Sequence, residues 1–260
     1  MPLLRIEMSF KEGEFVYLQD DKGKKHWFQL APGMLKVASL GTVDGSRLMG
    51  LHDGGAVTYA GREFHIFRPG TVDLISSLDR GAQIVTAKDA AVIIMHCDLK
   101  DGDIVLEVGA GSGALTLAMI RAVAPNGRVL TVEMRPEFAD RARKNLRRAG
   151  LEEYWDCHIG DARGLGLDFE ADALVMDMPE PWLALEGLHA SLRPGGRFCA
   201  YIPNINQMEA TVNALRERGY RDVLAMETLQ RQMEVHPGGV RPSFEVLGHT
   251  GYTVFARKTV

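Results

Sequence analysis

From Thr71 onward, the chain alternates short apolar runs with stretches whose apolar residues recur at helical spacing. The apolar runs have the length of strands and read DIVLEVG, RVLTVEM, YWDCHIGD, ADALVMDM and GRFCAYIP. Strands that are buried on both faces have this composition, and their alternation with helices predicts a doubly wound α/β fold. Two later segments, DVLAMETLQ and GYTVFARK, are expected to complete a mostly parallel sheet of seven strands.

The first 70 residues have a different character. Short β-prone runs, among them EFVYL, KHWFQL and AVTYAGREFHIF, are separated by turn signals. We therefore predict a small β-rich domain over residues 1–70 and a larger α/β domain over residues 71–260. At the start of the larger domain, TVDLISSLDRG is predicted to form a helix that ends at Gly81.

Composition limits the possible classes of protein. With 260 residues, 46% of them hydrophobic, the chain can bury one large core and a smaller one. No stretch approaches the roughly 18 apolar residues of a membrane helix, and MPLLRIEMSF lacks the features of a signal peptide, so we expect a cytoplasmic protein. Three cysteines without C-x-x-C spacing predict no disulfide framework and no metal site. The net charge of −4 disfavours binding of nucleic acid by bulk charge, but allows a local basic surface.

The first strand of the α/β domain ends in a glycine-rich turn, LEVGAGSGALTLAM. Glu107, Gly109, Gly111 and Gly113 fall in this turn, and a helix is expected to begin near Ser112. Glycines allow a tight turn and let a ligand approach the backbone at the start of a helix. The pattern fits both a dinucleotide site and an S-adenosylmethionine site, so it leaves the two alternatives open.

Acidic residues follow the next two strands. Glu133 ends the second strand, where an acid can accept both hydroxyls of an adenosine ribose. Asp161 follows the third strand and could accept a hydrogen bond from an adenine amino group, although either acid could instead serve a helix start or a turn. Together with the glycine turn, these strand ends predict an adenosine site.

The fourth strand ends in VMDMPEPW, which separates the alternatives. A dehydrogenase has no evident use for this motif, whereas a methyltransferase needs a group that holds the methyl acceptor opposite the donor. If the acceptor is a ring nitrogen of adenine, the ring becomes cationic on methylation, and the carboxylate of Asp177 could orient and stabilise it. Pro179 and Pro181 are expected to stiffen the turn, and Trp182 to pack the following helix.

These residues resemble the tRNA (adenine-58-N1)-methyltransferases. The resemblance rests on VMDMPEPW and LEVGAGSGALT, and on AYIPNINQ and RPSFEVLGHTGY further along the chain. It implies a class I methyltransferase fold, S-adenosylmethionine as the cofactor, N1 methylation of an adenine in the T-loop of tRNA, and a homotetramer. Tyr201 matches a family tyrosine at the mouth of the active site, although it could equally be an aromatic residue that packs at a strand end. Asp177 matches the carboxylate on the acceptor side, which is also assigned a contact with the donor. The resemblance assigns donor binding to Glu107, Gly109, Gly111, Ser112, Gly113, Glu133 and Asp161.

One segment departs from the family pattern. Members commonly carry an aromatic residue or histidine, followed by proline, ahead of KDA, but this chain has Thr86 and Ala87 there. A threonine cannot stack on a base as a ring can, so this departure bears on how the adenine is held and on which adenine is preferred. The neighbouring Lys88 and Asp89 fit a helix start, and no chemistry is assigned to them.

Two basic runs are candidates for contact with the tRNA backbone, although either could be a solvated face. The candidate residues are Lys22, Lys24 and Lys25 in the first run, and Arg141, Arg143, Lys144, Arg147 and Arg148 in the second.

Two alternative functions remain open. One is an S-adenosylmethionine-dependent methyltransferase that acts on a protein carboxyl group or a small molecule. The other is a nucleotide-binding module or NAD enzyme that uses the glycine turn.

Overall fold

The computed structural model describes residues 9–81 and 83–260, which form two compact units. The first unit extends to Ser77 and includes residues 148–150, and the second comprises Leu78–Arg147 and Leu151–Val260. The boundary that the sequence predicts after residue 70 stays a prediction. In the part of the chain that the structure describes, no helix combines the length and hydropathy needed to cross a membrane.

The first unit contains an antiparallel sheet with the strand order β2-β1-β6-β5. Side chains alternate across this sheet, so Val16, Leu18 and Ile66 on one face pack with Phe28 and Phe64 in a separate small core. Strands β3 and β4 form a second, two-stranded sheet. The elements are β1 (Phe15–Asp20), β2 (Lys25–Gln29), β3 (Met34–Val37), β4 (Gly41–Asp44), α1 (Gly45–Met49), β5 (Ala56–Tyr59), β6 (Arg62–Phe67) and α2 (Thr71–Ser77).

The second unit alternates helices and strands, as the sequence predicts. Its elements are α3 (Ala87–His96), β7 (Ile104–Val108), α4 (Ala114–Val123), β8 (Arg128–Glu133), α5 (Pro136–Arg148), a 3₁₀ turn (Glu152–Tyr154), β9 (Trp155–Ile159), β10 (Ala171–Met176), α6 (Pro181–Leu188), β11 (Leu192–Ile202), α7 (Ile205–Glu217), β12 (Arg221–Glu227), β13 (Met233–His236), β14 (Gly239–Pro242) and β15 (Tyr252–Arg257). The last residue of α5 belongs to the first unit.

Seven of these strands form one sheet in the order β12-β15-β11-β10-β7-β8-β9. Strands β7 to β11 pair in parallel, and β15 runs antiparallel to both β11 and β12. Strands β13 and β14 form a separate hairpin. The predicted doubly wound, mostly parallel seven-stranded sheet, accompanied by a small N-terminal β region, is confirmed.

The helix predicted to end at Gly81 ends earlier, at Ser77. Beyond Ser77 the backbone groups form hydrogen bonds with distant side chains instead of helical hydrogen bonds. The amide of Asp79 donates to Asn145 Oδ1 at 3.2 Å, and the side-chain amide of Asn145 donates back to the Asp79 carbonyl at 3.1 Å. The amide of Gly81 donates to Ser112 Oγ at 3.3 Å, so the segment that follows the helix reaches the glycine turn.

The sheet reverses its strand order at β7. The chain moves from β7 to β8 and β9 on one side, whereas β10 and β11 lie on the other. At such a switch point the turns that follow neighbouring strands separate and leave a crevice outside their carboxyl ends. The turn after β7 and the turn after β10 are joined here by a hydrogen bond from the Asp177 amide to the Val108 carbonyl at 2.8 Å.

Candidate active site

The glycine turn after β7 is shaped by its backbone. Gly109 and Gly113 have φ angles of +88° and +80°, in the left-handed region that favours glycine. A Cβ atom on Gly109 would lie 2.3 Å from the carbonyl oxygen of Asp177, and one on Gly113 would lie 3.2 Å from the backbone of Ala142. The turn therefore brings β10 against one of its ends and α5 against the other.

The second strand end is joined directly to this turn. Glu133 is 4% exposed, and its Oε2 accepts from the amides of Ala110 at 2.9 Å and Gly111 at 3.4 Å. Its Oε1 accepts from the amide of Arg135 at 2.9 Å. The structure thus brings Glu133 and the glycine turn together, as the adenosine-site prediction requires, and shows that this carboxylate also holds the turn in place.

Glu107 lies behind the turn. Its side chain is fully buried, and it accepts hydrogen bonds from the hydroxyls of Thr116, at 2.8 and 2.9 Å, and Thr131, at 2.6 Å. Burial raises the pKa of Glu107 to about 8, although the two hydroxyls counteract this effect. Its position favours support of the turn from within, and its role as a donor contact stays a prediction.

Ser112 also faces inward. It is 3% exposed, and its carbonyl accepts from the side-chain amide of Asn145 at 2.9 Å while its hydroxyl accepts from Gly81. These bonds fix the start of α4 against α5 and the segment before α3. The sequence placed Ser112 at the helix start correctly, but spacing alone could not show that its polar atoms serve the protein framework.

Asp161, the candidate contact for adenine, is exposed and paired. Both of its oxygens accept from Arg163, with distances of 2.7 Å to Nη2 and 3.0 Å to Nε. The Arg163 guanidinium lowers the pKa of Asp161. A ligand that uses Asp161 has to share it with Arg163 or displace that side chain.

Asp177 lies at the switch point, directly after β10. Its side chain is half-buried, and among the described residues no cation pairs with it. Burial, followed by the negative charge of Glu133, raises the pKa of Asp177 to about 7. A carboxylate in this state accepts a hydrogen bond or a proton strongly, because both outcomes relieve its poor solvation.

The turn beyond Asp177 is built as the sequence suggests. Pro181 is the first residue of α6, where its missing N–H is not needed and its φ suits the helix. Trp182 is half-buried in the first turn of that helix. The helix therefore starts immediately beyond the acidic strand end and keeps the intervening turn short.

Tyr201 lies near the end of β11, the neighbour of β10. It is 8% exposed, and its hydroxyl donates to the Thr250 carbonyl at 2.7 Å and lies 3.3 Å from Asp89 Oδ2. Lys88 and Asp89, to which the sequence assigned no chemistry, are thus linked to Tyr201, Asp89 by its contact with the hydroxyl and Lys88 through Asp89 and Thr250. Only the folded chain reveals them, because the bond between Lys88 and Thr250 spans 162 positions.

The basic helix α5 is less available than the sequence suggested. Arg147 forms two hydrogen bonds with Glu152, at 2.6 and 2.8 Å, and Arg143 lies 3.6 Å from the same carboxylate and over the ring of Trp155. In the first unit, Lys25 is paired with Asp73. These contacts favour Lys22 and Lys24 over the arginines of α5 as exposed cations.

Within residues 9–81 and 83–260, no cluster of three potential metal ligands occurs. An S-adenosyl group has a different requirement: open space at the glycine turn and an acid on the neighbouring strand. A Cβ atom on Gly111 would meet nothing within 4 Å, and Glu133 lies beside that residue. The described residues therefore fit an adenosine-containing donor.

A family model matches residues 64–241 of this chain. It describes the tRNA methyltransferase complex GCD14 subunit. Among curated proteins, the tRNA (adenine(57)-N(1)/adenine(58)-N(1))-methyltransferase TrmI of Methanocaldococcus jannaschii is 33% identical over a gapped alignment of 268 positions, which covers 92% of this chain and 93% of the relative. The tRNA (adenine(58)-N(1))-methyltransferase TrmI of Thermus thermophilus is 33% identical over 243 residues, with coverage of 93% and 95%.

Solved structures with the same fold include two similar chains. A SAM-dependent O-methyltransferase from Thermotoga maritima superimposes with a TM-score of 0.87, at 31% identity, and covers 97% of this chain and 96% of its own. The tRNA (m1A58) methyltransferase TrmI from Aquifex aeolicus superimposes with a TM-score of 0.79, at 29% identity, with coverage of 97% and 99%.

Proposed function

This chain belongs to the GCD14 family of tRNA methyltransferases, and on that premise we propose that it transfers a methyl group from S-adenosylmethionine to N1 of adenine 58 in the T-loop of tRNA. The observation that carries the proposal is the position of Asp177. It follows β10 at the switch point, is bonded through its amide to the end of β7, and has a raised pKa. A carboxylate at this place can hold an adenine opposite a donor in the glycine turn.

The donor side consists of the glycine turn and Glu133, with Glu107 and Ser112 as internal supports. When bound, S-adenosylmethionine supplies a methyl group on a positively charged sulfur. Glu133 would accept the ribose hydroxyls while it continues to hold the amides of Ala110 and Gly111. Asp161 would contact the adenine after rearrangement of Arg163.

The acceptor side depends on Asp177. The lone pair of adenine N1 would form the new bond to the methyl carbon while the carbon–sulfur bond breaks and its electron pair stays on sulfur, so that the neutral thioether S-adenosylhomocysteine leaves. The methylated ring would stay cationic until its exocyclic amine loses a proton. The Asp177 carboxylate would accept a hydrogen bond from that amine, stabilise the growing charge and take up the proton. Its raised pKa suits this exchange, because an acid with a pKa near 7 gains and releases protons at neutral pH.

The adenine has to leave its stack to reach the site. Unstacking a base costs a few kcal/mol, and contacts to the tRNA backbone offset this cost. We propose Lys22 and Lys24 for these contacts, since both are exposed. Thr86 provides no ring for the extruded base, so the aromatic side of the acceptor pocket would come from Tyr201.

We also propose that the protein acts in the cytoplasm as a homotetramer, with residues 1–70 as a separate domain. The segment around the β13–β14 hairpin supports self-association, because large apolar side chains are exposed there. A solvated monomer rarely displays such a concentration of apolar surface. The exposed residues are Leu229, Met233, Val235, Val240, Phe244, Val246 and Leu247.

Mass mapping tests the activity. Unmodified tRNA is incubated with enzyme and S-adenosylmethionine, digested, and searched for N1-methyladenine at each T-loop adenine. The proposal expects the modification at position 58 with wild-type enzyme and its loss with Asp177→Ala. Methylation elsewhere in the tRNA, or none, would contradict it.

A second candidate function is methyl transfer to a protein carboxyl group or a small molecule. The likeness to the Thermotoga maritima protein described as an O-methyltransferase favours it. Transfer of labelled methyl groups that needs no tRNA and survives ribonuclease treatment would support this alternative over the first.

A further inference from the structure

A group of hydrogen-bonded side chains surrounds the start of α3. The side chain of Asp89 is 1% exposed and that of Lys88 is 11% exposed. Lys88 Nζ donates to Asp89 Oδ1 at 2.6 Å and to Thr250 Oγ1 at 2.7 Å. The hydroxyl of Thr86 donates to Asp89 Oδ2 at 2.9 Å. This cluster, called the α3 cluster below, ties the first turn of α3 to the segment before β15.

Tyr201 is the side chain that the α3 cluster restrains. Its hydroxyl lies between the Thr250 carbonyl, to which it donates, and the carboxylate of Asp89. A Cβ atom on Gly251 would lie 2.4 Å from Cζ of Tyr201, so the backbone of Gly251 packs directly on the ring. The phenol is therefore fixed at its hydroxyl, whose single proton has two acceptors within reach, the Thr250 carbonyl at 2.7 Å and Asp89 Oδ2 at 3.3 Å, and on its ring by the chain.

The restrained ring is a neighbour of the acceptor carboxylate. Strands β10 and β11 pair in parallel with Met176 opposite Ala200. The next residues along the two strands are Asp177 and Tyr201. Burial, the charge of Asp89 and, more weakly, the charge of Asp177 raise the pKa of Tyr201, in keeping with this strand register.

Stability alone does not explain a buried ion pair in this place. Removing two charges from water costs about as much as their attraction returns, and apolar replacements are often neutral or stabilising. A hydrogen-bonded ion pair does, however, have strict geometry. In the α3 cluster this geometry is transmitted through Thr250 and Asp89 to a single aromatic ring.

We propose that Lys88 and Asp89 are positioning residues that fix the Tyr201 ring beside Asp177 on the acceptor side of the site. The importance of this role for catalysis rests on the proposed function. Thr86 belongs to the same device: in place of a stacking ring, it offers a hydroxyl that orients Asp89. Tyr201 then forms the fixed aromatic wall against which the adenine is held.

Nuclear magnetic resonance tests the positioning without any turnover. The protein is labelled with ε-¹³C-tyrosine, and the Tyr201 signal is assigned by its loss in Tyr201→Phe. Asp89→Asn is expected to shift or broaden this signal. The matched control is Asp172→Asn, which weakens an ion pair with Arg193 at the opposite end of the sheet and should leave the Tyr201 signal unchanged.

A kinetic double-mutant cycle then tests the catalytic meaning. Asp89→Asn is expected to lower kcat for tRNA by about 10- to 100-fold, because small displacements of positioned groups have effects of this size. Donor affinity, measured by calorimetry with S-adenosylhomocysteine, should change less than about twofold. In the Tyr201→Phe background the same substitution should have little further effect on kcat, since both changes act through one ring.

The outcomes separate this inference from the proposed function. Additive losses of kcat in the cycle, or an unchanged Tyr201 signal in Asp89→Asn, would overturn the inference. If wild-type enzyme methylates no tRNA, the proposed function fails, and the resonance experiment alone decides whether Asp89 positions Tyr201. If the Asp89→Asn variant does not fold, the same measurements are made on the double variant Lys88→Met/Asp89→Asn, because it leaves no unpaired buried charge.

Discussion

The two ends of β10 carry aspartates in opposite environments. At the amino end, Asp172 accepts from the Ile104 amide at 2.9 Å and from Arg193 at 2.7 Å. Burial would raise the pKa of Asp172, but these donors outweigh burial and lower it. At the carboxyl end, Asp177 is half-buried beside Glu133, and its pKa rises to about 7.

The difference in pKa distinguishes an aspartate that stabilises the fold, Asp172, from one that is suited to proton transfer, Asp177. One strand and one residue type produce a stabilised anion at the amino end and an unstable anion at the carboxyl end, so the environment determines the behaviour. An acid that is poorly solvated gains free energy from any ligand that donates a hydrogen bond or a proton. The comparison predicts that substitution at the carboxyl end of β10 lowers activity whereas substitution at the amino end leaves it unchanged, and that the two substitutions change stability above neutral pH with opposite signs.

The largest expected effect is on turnover. Asp177→Ala should lower kcat for tRNA by about 10²- to 10³-fold, the usual loss when a group that stabilises developing charge is removed. Binding of S-adenosylhomocysteine, measured by calorimetry, should change less than about twofold. Asp172→Asn serves as the control and should retain kcat within about twofold. Full turnover by Asp177→Ala would remove its assigned role.

A change at Glu133 should act on the donor instead. Glu133→Gln leaves a single acceptor oxygen, so either the amides of Ala110 and Gly111 or the amide of Arg135 would face an NH2 group. We expect the affinity for S-adenosylhomocysteine to fall by about 10- to 100-fold, as for the loss of charged hydrogen bonds. Calorimetry on the variant and on Asp172→Asn measures this directly; equal affinities would refute the ribose assignment.

The raised pKa of Asp177 predicts a pH dependence. Below about pH 7 the free enzyme carries a protonated Asp177, which cannot accept the proton of the adenine amine. The kcat/KM for tRNA should therefore rise with pH and level off above pH 7, with a value about tenfold below the plateau at pH 6. The residual activity of Asp177→Asn should lack the rise of kcat/KM near pH 7. If the variant shows the same pH profile as the wild type, another group causes this rise.

Stability should show the smallest effects, with opposite signs at the two ends. Because the folded pKa of Asp177 is raised, its stabilising contribution is present at acid pH and is lost as pH rises through 7. Asp177→Asn should therefore increase the free energy of unfolding at pH 8 by about 1–3 kcal/mol, and by little near pH 4.

Asp172→Asn should do the reverse. The folded pKa of Asp172 is lowered, so its contribution is present above the unfolded pKa and is lost as pH falls through the folded value. The variant should be less stable by about 1 kcal/mol at pH 8. Denaturant titrations at pH 4 and pH 8 measure the free energy of unfolding of both variants. If the two substitutions change it at pH 8 with the same sign, the contrast between the ends of β10 is wrong.

The strand ends could be predicted from sequence because local patterns determine them. The apolar runs, the glycine turn at Gly109 and the acids Glu133 and Asp177 fall at the carboxyl ends of predicted strands, and a doubly wound topology brings those ends together. The same reasoning could not show that Asp161 is paired with Arg163, because the conformation of an exposed pair leaves no periodic signal in the sequence.

Contacts between segments that are distant in the sequence could not be predicted. The cluster of Lys88, Asp89 and Thr250 depends on how β15 lies against the start of α3, which no local spacing encodes. The sequence likewise could not show that Arg143 and Arg147 of α5 share the carboxylate of Glu152. Arg147 finds Glu152 only because the chain turns back in a 3₁₀ segment immediately after the helix.

The contact between Gly109 and the carbonyl of Asp177 has a consequence for engineering. No side chain fits between them, so the glycine turn, to which we assign the donor, and the turn after β10, to which we assign the acceptor, are in direct backbone contact. Any substitution at Gly109 adds at least a Cβ atom, so it would displace the acidic segment on the other side of the contact. Redesign of either segment therefore has to keep glycine at this position, because a change there moves both segments at once.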